Sequence, residues 1–370
     1  MGERSKVYMT DLRCRPGVSL LNKLEKLMRT AGIGEINFER KLVAIKMHFG
    51  EPGNLAFLRP NYAKVVADVV KSLGGVPFLT DCNTLYPGRR KNALEHLDAA
   101  YENGFSPLST GCQVIIGDGL RGNDDVEVPV EGAEYIQTAK IGKAIMEADV
   151  IISLSHFKGH EQTGFGGAIK NLGMGCGSRR GKMEQHAQGK PMVAPRRCAP
   201  QCAHGAITFG EDRKASIDWD KCVGCGRCIA VCNTDAIRPG NDAAMEELGC
   251  RMAEYAKAVV DGRPQFHISL VIDVSPYCDC HGENDLPIVP DVGMFASFDP
   301  VALDQACADA CGKQSPIPGS HLDEQMHREG FCDKHDHFIN SMPDTDWRVC
   351  LDHCEKIGIG TRSYELVEVK

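Results

Sequence analysis

Residues 42–54 read LVAIKMHFGEPGN. The first six form an apolar run interrupted by one lysine, as expected of a strand covered on both faces, and the remainder turns polar and glycine-rich at once. The phrase recurs. VPFLT at 76–80 runs into DCNTLYPG, the strand pattern at 112–116 ends in GDG, that at 150–154 runs into SHFKGHE, and that at 268–274 into SPYCDCHGEND. Helical patterns occupy 62–73, closed by Gly74 and Gly75, then 89–103, 141–148 and 243–260. Asp299 and Pro300 supply an N-cap and first-turn residue for another helix reaching about residue 311. This alternation predicts an α/β fold, a mostly parallel sheet with helices on both faces.

In such a sheet the carboxyl ends of the strands lie along one edge, where open α/β proteins bind ligands. The five polar segments are therefore expected to converge on one cleft. They offer His48, Asp81, Asn83, Asp118, Cys278 and Cys280 as pocket-lining residues, with His156 and Lys158 beside them. Residues 156–190 carry nine glycines and six Lys/Arg against two Glu, a positive island in an acidic chain. Gly166 and Gly167 open a helical pattern there, so backbone N–H groups and a helix N-terminus are expected to hold an anion, with Lys158 and Lys170 near. The stretch fits neither a dinucleotide fingerprint nor a P-loop, and a solvated loop is the plainer reading. His156 and His160 are candidates for proton transfer or metal ligation, and Cys278 and Cys280 for thiolate ligands or redox thiols. Cys307, Cys311, Cys350, His353 and Cys354 share helical spacings that read as core, and the tail histidines as surface.

KCVGCGRCIAVC, residues 221–232, places Cys222, Cys225, Cys228 and Cys232 at the spacing C-x2-C-x2-C-x3-C. Three thiolates so spaced wrap three corners of a four-iron cube, and in two-cluster ferredoxins the fourth cysteine serves the other cluster. MVAPRRCAPQCAHGAITF, residues 192–209, threads onto the same pattern through Cys198 and Cys202, with Met192 and Pro195 where the first two cysteines belong. Ala206-Ile207 and Ala236-Ile237 follow the two runs at the same offset, marking a two-unit repeat. The ligand count predicts one [4Fe–4S] cluster held by Cys202, Cys222, Cys225 and Cys228, with Cys198 and Cys232 as remnants of a lost site. Structural zinc draws on separated cysteine pairs and fits the run less well. A cluster that only staples the insert is the other reading. The expected organisation is a discontinuous host domain, 1–190 and 241–370, with a ferredoxin-like α+β module at 191–240.

The chain has 370 residues, a formal charge of −8 and no long Lys/Arg block, which excludes a phosphate-backbone footprint and hence nucleic acid as a partner. No run approaches the roughly 18 apolar residues of a membrane span, and MGERSKVYMT lacks the apolar core of a signal peptide. No membrane association and a cytoplasmic location are the expectations. Eighteen cysteines then argue for metal or thiol chemistry in a reducing compartment.

VAIKMHFGEPGN, FLTDCNTLYPGRRKNALEHL, VIIGDGLRG, SHFKGHEQTGFGGAIKNLGMGC, the cysteine run, SPYCDCHGEND, VPDVGMFASFDPVALDQAC and EKIGIGTRSYELV together resemble the domain of unknown function 362. The resemblance covers nearly the whole chain and implies a fused ferredoxin-like iron–sulfur module, but no general activity. Ferredoxin modules of this kind carry proline after each fourth cysteine, where this chain has Ala203 and Asn233. The leading expectation is an iron–sulfur oxidoreductase passing single electrons to or from an anionic small molecule. Its rivals are an electron-transfer or reductive-activation protein acting on a redox partner protein, and a non-redox binding protein with a structural cluster.

Overall fold

The computed structural model describes residues 4–85, 88–187, 191–193, 202, 205–210, 215–218, 221–222, 237–239 and 245–370. Cys198, Cys225, Cys228 and Cys232 lie outside these residues.

Eight strands form the central sheet: β1 (Ser5–Thr10), β2 (Leu42–Lys46), β3 (Val76–Asp81), β4 (Gln113–Ile116), β5 (Val150–His156), β6 (Gln265–Val271), β7 (Gly293–Ser297) and β8 (Tyr364–Glu368). Their order is β8-β1-β7-β6-β5-β2-β3-β4. Every pairing is parallel except those of β7, which runs antiparallel to both β1 and β6. The fold is thus α/β with a mostly parallel sheet and a helical layer on each face.

Strand side chains alternate between two cores. Val43, Ile45, Ile152 and Leu154 face one, built with α1 (Leu20–Thr30) and α2 (Pro60–Ser72). Ala44 and Ile151 face the other, built with α3 (Ala168–Cys176), α4 (Met245–Val260) and α5 (Pro300–Gly312). That second face also receives Lys46, two residues beyond Ala44, and Ser155, whose hydroxyl is bonded by the Asn171 amide at 3.1 Å. The polar pocket grows from this side of the sheet.

Local signals end the elements where the sequence places them. Asp299 caps α5, accepting from the amides of Val301 and Ala302, with Pro300 in its first turn. The pattern at 141–148 departs from the expected helix. Thr138–Gly142 pairs with Asp125–Pro129 as an antiparallel hairpin, and only Lys143–Met146 is helical. Among the described residues no helix is long and apolar enough to cross a membrane.

Candidate functional site

A pocket of about 160 Å³ opens at the carboxyl ends of β2, β3 and β5. Among the described residues five fixed cations line it, Lys46, Arg90, Lys158, Lys170 and Lys182, against two carboxylates, Asp81 and Glu161. In a chain of net charge −8 this concentration of positive charge is local.

On one wall, Lys46 Nζ lies 2.9 Å from Asp81 Oδ1 with both side chains buried, and donates to Asn171 Oδ1 at 2.8 Å. Burial opposes ionisation of Asp81, but the Lys46 ammonium, with His48 and His96, holds its carboxyl well below the usual range. Arg90 joins the group through Glu51 at 2.8 Å and His48 Nε2 at 2.9 Å. Burial, aided by the Arg90 charge, pushes His48 below its ordinary value. Lys182 bonds the carbonyl oxygens of Gly175 and Gly177, and no ion pair engages it among the described residues.

The opposite wall comes from the segment after β6 and a hairpin, Lys158–His160 against Gly164–Gly166. His156 Nδ1 meets the Asp279 carboxylate at 2.9 Å and its Nε2 meets the carbonyl of Ile272 at 2.8 Å. With both ring nitrogens facing acceptors, His156 positions Asp279 and has no nitrogen left for a ligand. His160 is arranged differently. Its Nδ1 accepts from the amides of Gln162 and Thr163, so the ring proton sits on Nε2. Lys158 Nζ lies 3.5 Å from Asp279 Oδ2, and Lys170 Nζ lies 3.2 Å from Cys278 Sγ. A hydrogen bond from Cys280 holds the Cys278 thiol well below its ordinary value, and Lys170 and His160 act in the same sense against burial. Burial opposes the charge on Lys170, but Cys278, Cys280 and Glu161 outweigh it and raise the ammonium above its ordinary value. Cys278 itself is 1% exposed, while Cys280 lines the pocket.

Two expectations require correction. The helix N-terminus behind Gly166 and Gly167 is not open to an external anion, because the Asp304 carboxylate accepts from the amides of Ala168 at 2.7 Å and Ile169 at 2.9 Å. The glycines admit this packing: a β-carbon at Gly167 would collide with Asp304, and one at Gly166 would lie 2.9 Å from Lys170 Cδ. Asn83 and Asp118 brace the loops behind the pocket. Asp118 Oδ1 accepts from the Asn83 backbone and side chain at 2.9 and 2.8 Å, and its Oδ2 from the Arg179 amide at 3.2 Å. Of the remaining candidates, His48, Asp81, His156, Lys158, His160, Lys170 and Cys280 line the pocket together.

Sequence reasoning missed Lys46, Arg90, Glu161, Asn171, Lys182, His186 and His281, which also line it. Lys46 carried a signal, since a lysine inside a doubly buried strand needs a partner. Cys307, Cys311, Cys350 and Cys354 are buried in the core. Cys278 with Cys280 and Cys350 with Cys354 form two hydrogen-bonded sulfur pairs, a donor type that binds soft and borderline metals.

A parallel-sheet edge carrying a basic, thiol-bearing pocket defines a cysteine-rich α/β protein. The chain belongs to the family described as domain of unknown function (DUF362), which it matches over residues 43–309. It is 29% identical over 163 residues to a thylakoid-associated protein of Synechocystis sp., covering 43% of this chain and 46% of that one. Among solved structures it is similar to the lactate racemase apoprotein of Thermoanaerobacterium thermosaccharolyticum, at 12% identity and a TM-score of 0.34, over 73% of this chain and 51% of that one. A protein from Thermotoga maritima is similar at 13% identity and a TM-score of 0.39, over 84% of this chain and 60% of that one. The chain spans about half the length of the cyanobacterial relative and of the racemase.

Proposed function

We propose that the protein is an iron–sulfur oxidoreductase whose basic pocket binds an anionic small molecule. The observation that carries this reading is the convergence of Lys46, Arg90, Lys158, Lys170 and Lys182 around one pocket that Cys280 also lines. Lys46, Arg90, Lys158 and Lys170 have internal partners in Asp81, Glu51, Asp279 and Cys278, yet their charge gathers on one pocket, where a buried charge without a partner is costly. A bound anion supplies partners, and Lys182 is the cation most in need of one.

The redox half rests on the insert at 191–240 within the discontinuous host formed by 1–190 and 241–370. Pro191–Val193 pairs antiparallel with Ile237–Pro239, and Ile207–Phe209 pairs antiparallel with Ala215–Ile217. An outer strand pair enclosing an inner hairpin agrees with a two-unit ferredoxin-like module that leaves and rejoins the host at adjacent points. The donor chemistry fits a cluster. Cys202 and Cys222 are half-buried free thiols, and Cys202 Sγ accepts the amide of Ala206 at 3.4 Å, the kind of N–H···S contact that tunes cluster thiolates. Cys202, Cys222, Cys225 and Cys228 would hold one [4Fe–4S] cluster, which supplies single electrons. In the pocket, Lys158, Lys170 and Lys182 fix the charge of the substrate, His160 moves a proton through Nε2, and His156 keeps Asp279 in place.

The test is an anaerobic redox titration of the whole protein followed by EPR, with and without small phosphates and carboxylates. A reversible one-electron step, together with anion binding weakened in Lys182→Met, is the expected result. A cluster that does not cycle would leave the structural-cluster reading. Cycling without anion binding in the pocket would favour a protein partner.

A further inference from the structure

Glu161, Cys280 and His281 bring a carboxylate oxygen, a sulfur and an imidazole nitrogen within 4.8 Å of one another on the pocket wall. Two short backbone segments place them. Glu161 sits in the turn of the hairpin between Lys158–His160 and Gly164–Gly166, and the other two follow β6. The segments are joined tightly: the amide of Gly159 donates to Ser275 O at 2.8 Å, and a β-carbon at 159 would lie 2.5 Å from the carbonyl oxygen of Pro276. His281 is fixed further by its amide bond to Cys278 O at 3.1 Å and by Asn54, which donates to its carbonyl oxygen at 3.1 Å.

His281 Nε2 meets Glu161 Oε1 at 2.7 Å. The other carboxylate oxygen, Oε2, is buried with no hydrogen-bond partner. An acceptor left in that state costs about 1–3 kcal/mol, more when charged. An ion pair with His281 accounts for Oε1 and a hydrogen bond to Cys278 for the Cys280 sulfur, but Oε2 is left without a partner. A cation among the three supplies one.

We propose that Glu161, Cys280 and His281 form a site for a divalent metal of the zinc class, with its fourth position open to the pocket. The donor set selects the metal: a thiolate beside an imidazole disfavours magnesium and calcium, which take oxygen, and suits zinc. Three protein ligands leave one position for solvent or a ligand, as in catalytic zinc sites. Tetrahedral bonds of about 2.0–2.3 Å put ligand atoms roughly 3.3–3.8 Å apart, so atoms now up to 4.8 Å apart draw in while the 2.7 Å Glu161–His281 hydrogen bond opens and is exchanged for two metal bonds. The protons of Cys280 and His281 leave to solvent as the metal enters. Cys278 stays outside the set because Lys170 engages it at 3.2 Å. The open position faces the cations of the pocket, so the ligand it takes is an anionic oxygen of a small molecule.

This inference goes beyond the redox reading and does not rest on it. The test titrates Co2+ into the full-length protein, purified anaerobically with its cluster and stripped of loose metal with a chelator. Binding is followed by thiolate-to-cobalt charge-transfer absorption. The expected result is one saturable cobalt per chain, displaced by Zn2+, with the charge-transfer band lost in Cys280→Ser. Affinity should fall at least about tenfold in both Cys280→Ser and His281→Ala, since even residues one shell further out cost 10–100-fold. The half-exposed His281 tolerates truncation, so His281→Ala decides the matter if Cys280→Ser does not fold. A wild-type protein with no saturable cobalt site, or variants with unchanged band and affinity, would overturn the proposal. Iron content and EPR on the same samples report the cluster separately, so its failure and the failure of this site are distinguishable.

Discussion

Gly167 and Asp304 are packed so closely that a β-carbon on the glycine would overlap the carboxylate. The acceptor at the N-terminus of α3 is therefore the protein's own carboxyl group, which burial pushes up to about 7. It couples the glycine-rich segment to α5 across the core, and α3 carries Lys170 and Asn171 into the pocket. Gly167→Ala is expected to cost about 1–3 kcal/mol, the range for overpacking a filled interior. Asp304→Ala should cost about 1–2 kcal/mol through the lost cap. Urea unfolding measures both, and an unchanged midpoint in Gly167→Ala would contradict the packing.

Lys46 and Asp81 form a buried pair at 2.9 Å. Removing Lys46 leaves the buried Asp81 with Arg90, at 3.8 Å, as a remaining fixed cation, so Lys46→Ala should lose about 3 kcal/mol of stability, the low end for a broken buried pair, whereas Lys46→Ala with Asp81→Ala should lose less than the sum. A double-mutant cycle by denaturant unfolding checks this. Strict additivity would mean that the pair is not coupled.

His353 Nε2 lies 3.0 Å from Glu254 Oε1, and Glu254 also accepts the amides of Glu134, Tyr135 and Ile136. Hydrogen bonds to Cys250 and Glu254 lift His353 to about 9. A histidine raised above its unfolded value of about 6.5 makes the folded state bind the extra proton between the two values. Its stabilisation is complete below about pH 6.5 and is lost as pH rises through about 9. Thermal unfolding of His353→Gln should accordingly show a flatter pH dependence than wild type across that window. Parallel curves would remove the assignment.

Cys278 and Lys170 test the electrostatics of the pocket directly. Cys280 and the Lys170 ammonium favour the Cys278 thiolate against burial. In Lys170→Met the pH midpoint for alkylation of Cys278 by a small neutral reagent should rise, as read by peptide mass spectrometry. A midpoint that stays put would show that Lys170 does not set the thiol.

The parallel sheet was legible because doubly buried strands appear as apolar runs that stop abruptly at polar, glycine-rich turns, as at His48 and Asp81. The edge strand β8 and its neighbour β1 were not read, since their partly exposed faces leave no such run. The hairpin at 125–142 was lost because its second strand passes directly into a short helix, and the two blur into one periodic segment. The glycines of 156–190 misled in a specific way. They suggested a helix N-terminus open to an anion, whereas Gly173 is pressed against the Met252 carbonyl and Gly175 against Lys46, so close packing between elements explains them. Asp304 gave no local hint, because its partners Ala168 and Ile169 are distant in sequence. Lys46 and His281 entered the site from positions whose roles depend on facing direction, which only the folded register fixes.

The central claim, one cluster beside an anion-binding pocket, is tested most directly by counting iron and acid-labile sulfide in protein purified without oxygen, for wild type, Cys202→Ala and Cys232→Ala. About four irons per chain in wild type and Cys232→Ala, with the cluster lost in Cys202→Ala, is the result this account predicts. About eight irons, or a full cluster in Cys202→Ala, would contradict it.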